Sequence, residues 1–189
     1  MKNLGYKNLH LVSPTAYGHL AAMKLTQGAE DLLESAPVHA TPDEAAADYH
    51  MVFPTSRKMK QENALSLVEA SEIIAGLAQK NRIAVLFGSE KFGLARSAVD
   101  KCQKVITLPV APEFPSVNLA QSVGMVCLEI RLRLMEREEE STPPIDGTGA
   151  EAAIHLTVEE RQRLYKGFDD LFNDLGFDAP SIYGKVQDV

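Results

Sequence analysis

The sequence predicts an α/β fold with a parallel sheet, and three observations carry that reading. Short apolar runs rich in branched residues alternate with helical patterns, the signature of strands joined by crossover helices. Each run is followed by turn or helix-cap residues. The apolar share of 45% and the charged share of 24% are those of a globular protein. At 189 residues the chain can hold one domain of ordinary size plus an appendage.

Taken in order, the expected strands are "NLHLVSP" (8–14), "YHMVFPTS" (49–56), "RIAVLFGS" (82–89) and "KVITLPV" (104–110), with a weaker one around 37–40. Between them, "TPDEAAAD" opens with the residues of a capping box. Thr41 is placed to cap, Pro42 suits the first helical position, and Glu44 can reach back. "SLVEASEIIAGLAQ" and "NLAQSVGMVCLEIRLRLME" have apolar residues at helical spacing. The second is the longest helix, and its first half is apolar on most sides, which predicts burial against both the sheet and a partner subunit. "REEESTPPIDGTGAE" is charged and then rich in Pro and Gly, as a flexible linker is. A last amphipathic helix starts at a second capping box, Thr157 to Glu160, and is expected to stop at Gly176. Its stripe of Leu164, Phe168, Leu171, Phe172 and Leu175 needs a surface to cover, on its own body or on a second subunit. The expected division is a main domain over 1–137, a linker over 138–156 and a helical extension over 157–189.

The formal net charge of −7 does not suit a partner made of phosphates. Its distribution removes the objection. Residues 1–137 hold 15 basic and 14 acidic side chains, whereas residues 138–189 hold 4 and 12. The acidity belongs to the tail, and the main domain is free to carry a local basic patch. No apolar run reaches the ~18 residues of a membrane span, and no charged-then-apolar leader opens the chain, so a cytoplasmic location is expected. Cys102 and Cys127 lack metal spacing and sit in apolar surroundings, as packing thiols do. The five histidines show no ligand spacing, so neither a metal nor a histidine base is expected.

Two stretches stand out chemically. "LFGSEKFGL" (86–94) joins a strand end to Gly88, a charged turn and Gly93. A phosphate-binding P-loop would need Lys and Ser or Thr after the second glycine; here Leu94 and Ala95 follow, and that reading fails. No G-x-G-x-x-G is present either. Glycine at a strand end serves a structural turn or the close approach of a ligand, and ligands of open α/β sheets sit at those ends. In "LPVAPEFPSVNLAQSVGMVCLEI" (108–130), Pro109, Pro112 and Pro115 stiffen a loop that leads to Ser116 and Asn118 at a helix start. Either polar residue alone is explained as a cap. The stiff loop before them reads as one held still for a ligand.

This ordered pair of stretches resembles the second and third motifs of the SpoU/TrmH family of RNA 2′-O-ribose methyltransferases, within the SPOUT superfamily. The terminal "TVEERQRLYKGFDDLFNDLGF" resembles the helical extension of the TrmJ-like subgroup, which modifies tRNA. The resemblance covers nearly the whole chain. It implies a parallel sheet whose C-terminal part forms a deep trefoil knot, with S-adenosylmethionine (SAM) held bent in the knot loops. Carried over by position, the cofactor pocket comprises Thr55, Ser56, Gly88, Leu108, Ser116 and Asn118, with Ile106 and Leu119 packing near the adenine. Glu90 matches a carboxylate of the second motif and serves as a structural hydrogen-bond partner or as part of the RNA site. Arg57, Lys58 and Lys60 follow the second strand run, as a solvated turn or as RNA phosphate contacts. Family members pair through the knot region, which implies a homodimer. The implied function is methyl transfer from SAM to RNA, with tRNA the expected substrate; the rival is a catalytically silent RNA-binding module that keeps the pocket.

One motif departs from the family. Its first motif is an Asn-x-Gly-x-x-x-Arg stretch, then a short helix ending in something like "AMKNLGF". Here the match begins at that ending, "MKNLGY", with Met1. The Arg that the family is thought to use on the ribose hydroxyl falls before Met1. No catalytic residue is therefore assigned, poor methylation by residues 1–189 is expected, and an open sheet edge is expected where the first strand would pair.

Overall fold

The computed structural model describes residues 1–14, 23–24, 26–56, 63–111, 113, 116–140 and 155–174. A 3-10 turn over Lys2–Leu4 precedes β1 (Leu11–Val12), α1 (Glu30–Glu34), β2 (Val38–His39) and α2 (Pro42–Ala46). Then follow β3 (Met51–Ser56), β4 (Ala64–Ser66), α3 (Leu67–Leu77), β5 (Ile83–Leu86), α4 (Arg96–Val99) and β6 (Val105–Thr107). Two longer helices close the chain, α5 (Leu119–Glu140) and α6 (Val158–Asp174). The expected α/β class with parallel pairing is what the structure has. β4 is an addition, and the expected stop of α6 at Gly176 lies outside the described residues.

Every named ladder is parallel. One sheet has the order β4-β6-β3-β5, and β1 with β2 forms a second, two-stranded sheet. Among the described residues β5 pairs on one side only, with β3, and β1 only with β2, so each has an open edge. β3 is central. Its Phe53 lies opposite Val85 of β5, and its Thr55 opposite Ile106 of β6. Pro54 has no N–H to give to the ladder. One residue on, the Thr55 hydroxyl donates to the Leu86 carbonyl at 3.1 Å.

The core forms where α3 and α5 cover the sheet. Phe53, Leu67, Ala70, Ile74, Ile106, Val126 and Ile130 make one buried cluster. Successive turns of α3 and α5 supply Ala70, Ile74, Val126 and Ile130, the helical spacing read from the sequence. The start of α3 is fixed by a full capping box: the Ser66 hydroxyl accepts from the Glu69 N–H at 3.2 Å, and the Glu69 carboxylate accepts from the Ser66 N–H at 2.8 Å. Arg133 of α5 reaches Glu129, Glu136 and Glu72 of α3, and Tyr6 donates to the Cys127 carbonyl at 2.9 Å.

The expected box at Thr157 forms in full, and the one at Thr41 in half. The Thr41 hydroxyl accepts from the Glu44 N–H, while the Glu44 carboxylate takes the N–H of Ala40, one residue before the cap. Thr157 and Glu160 bond reciprocally. The entry to α6 docks on its own body: the Val158 and Glu159 N–H groups donate to the Tyr49 and Ala47 carbonyls, and Arg161 donates to that of His50. Leu164 and Phe168 of its apolar stripe stay exposed. No described helix is long and apolar enough to cross a membrane.

Candidate functional site

Because the strands are parallel, Ser56, Leu86 and Thr107 end on one edge of the sheet, and the loops that leave them meet there. They enclose a cavity of about 510 Å³. Its floor is Thr55 and Ser56 at the end of β3. One wall is the loop after β5, with Phe87, Gly88, Ser89, Glu90 and Leu94. The other is the loop after β6, with Leu108, Val110, Ser116 and Val117, continued by Leu119 and Ser122 of α5.

The β5 wall is a tight turn. The Gly93 N–H donates to the Ser89 carbonyl at 2.8 Å, and the Phe92 N–H to the Ser89 hydroxyl at 3.3 Å. Gly93 has φ +68°, which favours glycine. Gly88 lies so close to the returning strand of this turn that a Cβ built on it would stand 2.1 Å from the Gly93 carbonyl carbon. The β6 wall is tied to it through Asn118. The Asn118 amide donates to Glu90 Oε1 at 3.2 Å, its Oδ1 accepts the Ala120 N–H at 2.8 Å, and its carbonyl accepts from Ser122. Asn118 is thus a helix cap and a bridge between the two walls.

Of the positions expected from sequence, Thr55, Ser56, Gly88, Leu108, Ser116 and Leu119 line the cavity, and so does Glu90. Two stand elsewhere. Ile106 is fully buried in the core, paired between β3 and β4, and is not a lining residue. The Asn118 side chain is engaged at the rim rather than in the lining. Met1, ahead of which the first-motif Arg is expected, is not a lining residue either. It caps the 3-10 turn, where its carbonyl accepts the Leu4 N–H at 2.9 Å, and no catalytic role is assigned there. Arg57, Lys58, Lys60, Pro112 and Pro115 lie outside the described residues. Sequence reasoning did not single out Phe92, Arg96, Val110 and Ser122, which also line the cavity. Phe92, Val110 and Ser122 had a signal, by lying inside the two motifs; Arg96 had none.

The lining chemistry suits an uncharged or mixed ligand. Leu94, Leu108, Val110 and Leu119 offer apolar surface, and the Ser and Thr hydroxyls and loop backbone offer a few hydrogen bonds, the make-up of a nucleoside slot. Glu90 and Arg96 are its charged members. Both thiols sit apart from it. Burial pushes Cys102 up to about 11 and raises Cys127 as well, which keeps both protonated near neutrality.

A second cleft, of about 480 Å³, opens between the two sheets and is lined by Asn8, His10, Asp48, Tyr49, Asn81, Arg82 and Ile83. His10 Nδ1 lies 2.9 Å from His39 Nε2, and its Nε2 lies 3.0 Å from the Tyr49 hydroxyl. Burial first, and the neighbouring His39 second, lower the His10 pKa.

A parallel α/β sheet with a loop-built nucleoside-sized cavity at its strand ends defines the class of protein. The particular family follows from comparison: residues 1–128 match the SpoU rRNA Methylase family, and the chain belongs to it. It is 30% identical over 189 residues to the tRNA (cytidine/uridine-2′-O-)-methyltransferase TrmJ of Yersinia enterocolitica, spanning 99% of this chain and 72% of that protein. Among solved structures, TrmJ from Z. mobilis is 27% identical with a TM-score of 0.73, covering 99% of this chain and 78% of that one. A probable methylase family protein from Haemophilus influenzae is 26% identical with a TM-score of 0.68, over 94% and 72% of the two chains.

Proposed function

We propose that this protein is a SAM-dependent tRNA ribose 2′-O-methyltransferase whose cofactor occupies the cavity over Thr55 and Ser56. The observation that carries the proposal is the convergence of the two family motifs, 86–94 and 108–130, as facing walls of one cavity. Family membership favours the enzyme over the silent RNA-binding module. The pocket fits the cofactor on its own chemistry: an apolar slot for adenine, loop backbone for hydrogen bonds, and the Glu90 carboxylate to balance a cation. Bound there, SAM supplies an electrophilic methyl group on a sulfonium sulfur.

The residues named are proposed to hold and orient. Thr55, Ser56, Gly88, Leu108, Ser116 and Leu119 form the slot, and Asn118 keeps its two walls together through Glu90. Placing a weak nucleophile in line is worth several kcal/mol of barrier in general, so alignment is the main service of such a site. No side chain from Met1 onward is assigned as the base.

Three further features belong to this reading. β6 lies between β3 and β4, a late strand inserted between two successive earlier ones, an order compatible with the trefoil knot proposed for the C-terminal part of the sheet. The division into 1–137, 138–156 and 157–189 is retained, with α5 running three residues into the proposed linker. A homodimer is supported by Leu128, Leu132 and Met135, an exposed apolar stripe on α5 at helical spacing.

The test is calorimetry with SAM, followed by transfer of labelled methyl to unfractionated tRNA and nucleoside analysis of the digest. SAM binding that weakens in Asn118→Ala, with the little label that residues 1–189 transfer recovered as 2′-O-methylnucleosides, is the expected result. Label on a base, or wild-type affinity in Asn118→Ala and in bulky replacements at Gly88, overturns it.

A further inference from the structure

We infer that the Phe92 ring is the stacking platform for an unpaired base of the RNA substrate, presented at the mouth of the cavity. This rests on the methyltransferase reading above and adds a recognition element that the family motif does not name. Phe92 is 79% exposed, more than any other large apolar side chain among the described residues. A lone exposed apolar side chain means little by itself. Three facts set this one apart.

The first is position. The ring borders the same cavity as Thr55, Gly88 and Ser116, so a base resting on it would hold its own ribose near the proposed cofactor. The second is the turn that presents it. The Ser89–Gly93 bridge, the Phe92 N–H bond to Ser89 and the close approach at Gly88 fix the backbone that carries the ring. The third is company. Lys91 Nζ stands 5.1 Å from the ring centroid, and Arg96, 91% exposed and paired with Asp100 at 3.3 Å, lines the same cavity. An aromatic face flanked by cations is how proteins hold single-stranded nucleic acid: the ring takes the base, the cations take phosphates. The one carboxylate in the turn, Glu90, is held by the Asn118 amide, and its charge is the one proposed above to balance the cofactor's sulfonium. A surface built for a second copy of the chain would offer apolar neighbours, like the α5 stripe, in place of two cations.

The experiment uses the full chain and measures tRNA affinity by filter binding across a salt series, SAM affinity by calorimetry, and mass by light scattering. Phe92→Ala is expected to weaken tRNA binding roughly ten- to hundredfold with an unchanged salt slope, since stacking releases no counterions. Phe92→Trp restores binding, and SAM affinity stays within about twofold, a difference far smaller than a lost stack. Lys91→Ala lowers the salt slope by roughly 0.7–0.9. Unchanged tRNA affinity in Phe92→Ala overturns the inference, as does a loss of affinity accompanied by a fall in mass, which would give the ring to a second subunit. The two readings fail separately. A wild-type chain that binds SAM but is indifferent to Phe92 sinks only the stacking role; a chain that binds tRNA through Phe92 but takes up no SAM sinks only the cofactor assignment.

Discussion

Gly88→Ala is the sharpest perturbation of the cavity, and its consequence can be worked from distances. The added Cβ would lie 2.1 Å from the Gly93 carbonyl carbon, 2.3 Å from the Leu94 nitrogen and 2.6 Å from the Gly93 oxygen. Carbon atoms rest about 3.5–4.0 Å apart, so the turn must retreat by more than about 1 Å. All three obstructing atoms are backbone, and no rotamer change relieves them. If the turn resists, overpacking costs about 1–3 kcal/mol, and losing the Gly93 N–H bond to Ser89 adds about 1 kcal/mol. For a domain of this size that is a melting-point fall of roughly 5–15 °C. If the turn yields, stability is spared but Ser89, Gly93 and Leu94 leave the cavity wall, and SAM affinity falls. Thermal denaturation and calorimetry on the same sample catch either outcome. Gly76→Ala is the matched control. Its Cβ meets only the Arg137 guanidinium, at 3.3 Å, which is the movable end of a long side chain. Mid-helix alanine then gains about 0.5–1 kcal/mol, and the melting point should hold or rise. An unchanged melting point together with unchanged SAM affinity in Gly88→Ala would refute the packing described for this turn.

Three other outcomes are expected. Light scattering at micromolar concentration should give a dimer for the native chain and a monomer for Leu128→Glu with Leu132→Glu; a native monomer removes the dimer. His10 holds its folded pKa below the ordinary value, chiefly by burial and secondly through His39, with Asp48 opposing, so the unfolded chain takes up this proton first. Stability therefore rises with pH and is lost as pH falls below about 6.5; melting points at pH 7.5 and 5.5 should differ less in His10→Gln, and equal slopes would refute the linkage. Thr55→Val removes the hydroxyl that donates to the Leu86 carbonyl, at a cost of about 0.5–1.5 kcal/mol. Chemical denaturation checks this, and a variant as stable as the native chain would show that the bond contributes nothing.

Much of this fold could be read from the chain because its signals are local. The boxes at Thr41 and Thr157 and the apolar spacing of α3 and α5 each depend on neighbours within a turn of helix. β4 went unread because three residues, Ala64–Ser66, cannot show alternation, although the Ser66–Glu69 box marked where it ends. Why Ile106 is a core residue rather than a lining one was not legible for a related reason. All of β6 is buried, Val105 through Thr107, since the strand lies inside the sheet, and a strand covered on both faces carries no pattern to say which side chain meets the cavity. Phe92 and Arg96 stayed hidden because their place at the cavity mouth depends on how the turn is folded, not on their own types.

The strand order explains why residues so far apart in sequence make one site. β3 has β5 on one side and β6 on the other, so the loops that leave β5 and β6 rise on either side of the end of β3. Thr55 and Ser56 thereby become a floor, and the two motifs become walls, without any loop having to reach across the sheet. Had β6 joined an outer edge, beside β4 or β5, its loop would have stood at least one strand further from Thr55, about 5 Å in the pairing direction. The Asn118–Glu90 hydrogen bond, which is formed at 3.2 Å, could not then span the gap. The insertion of β6 between β3 and β4 is therefore more than a topological curiosity. It is what brings the second wall within hydrogen-bonding distance of the first, and so what turns two strand-end loops into an enclosure.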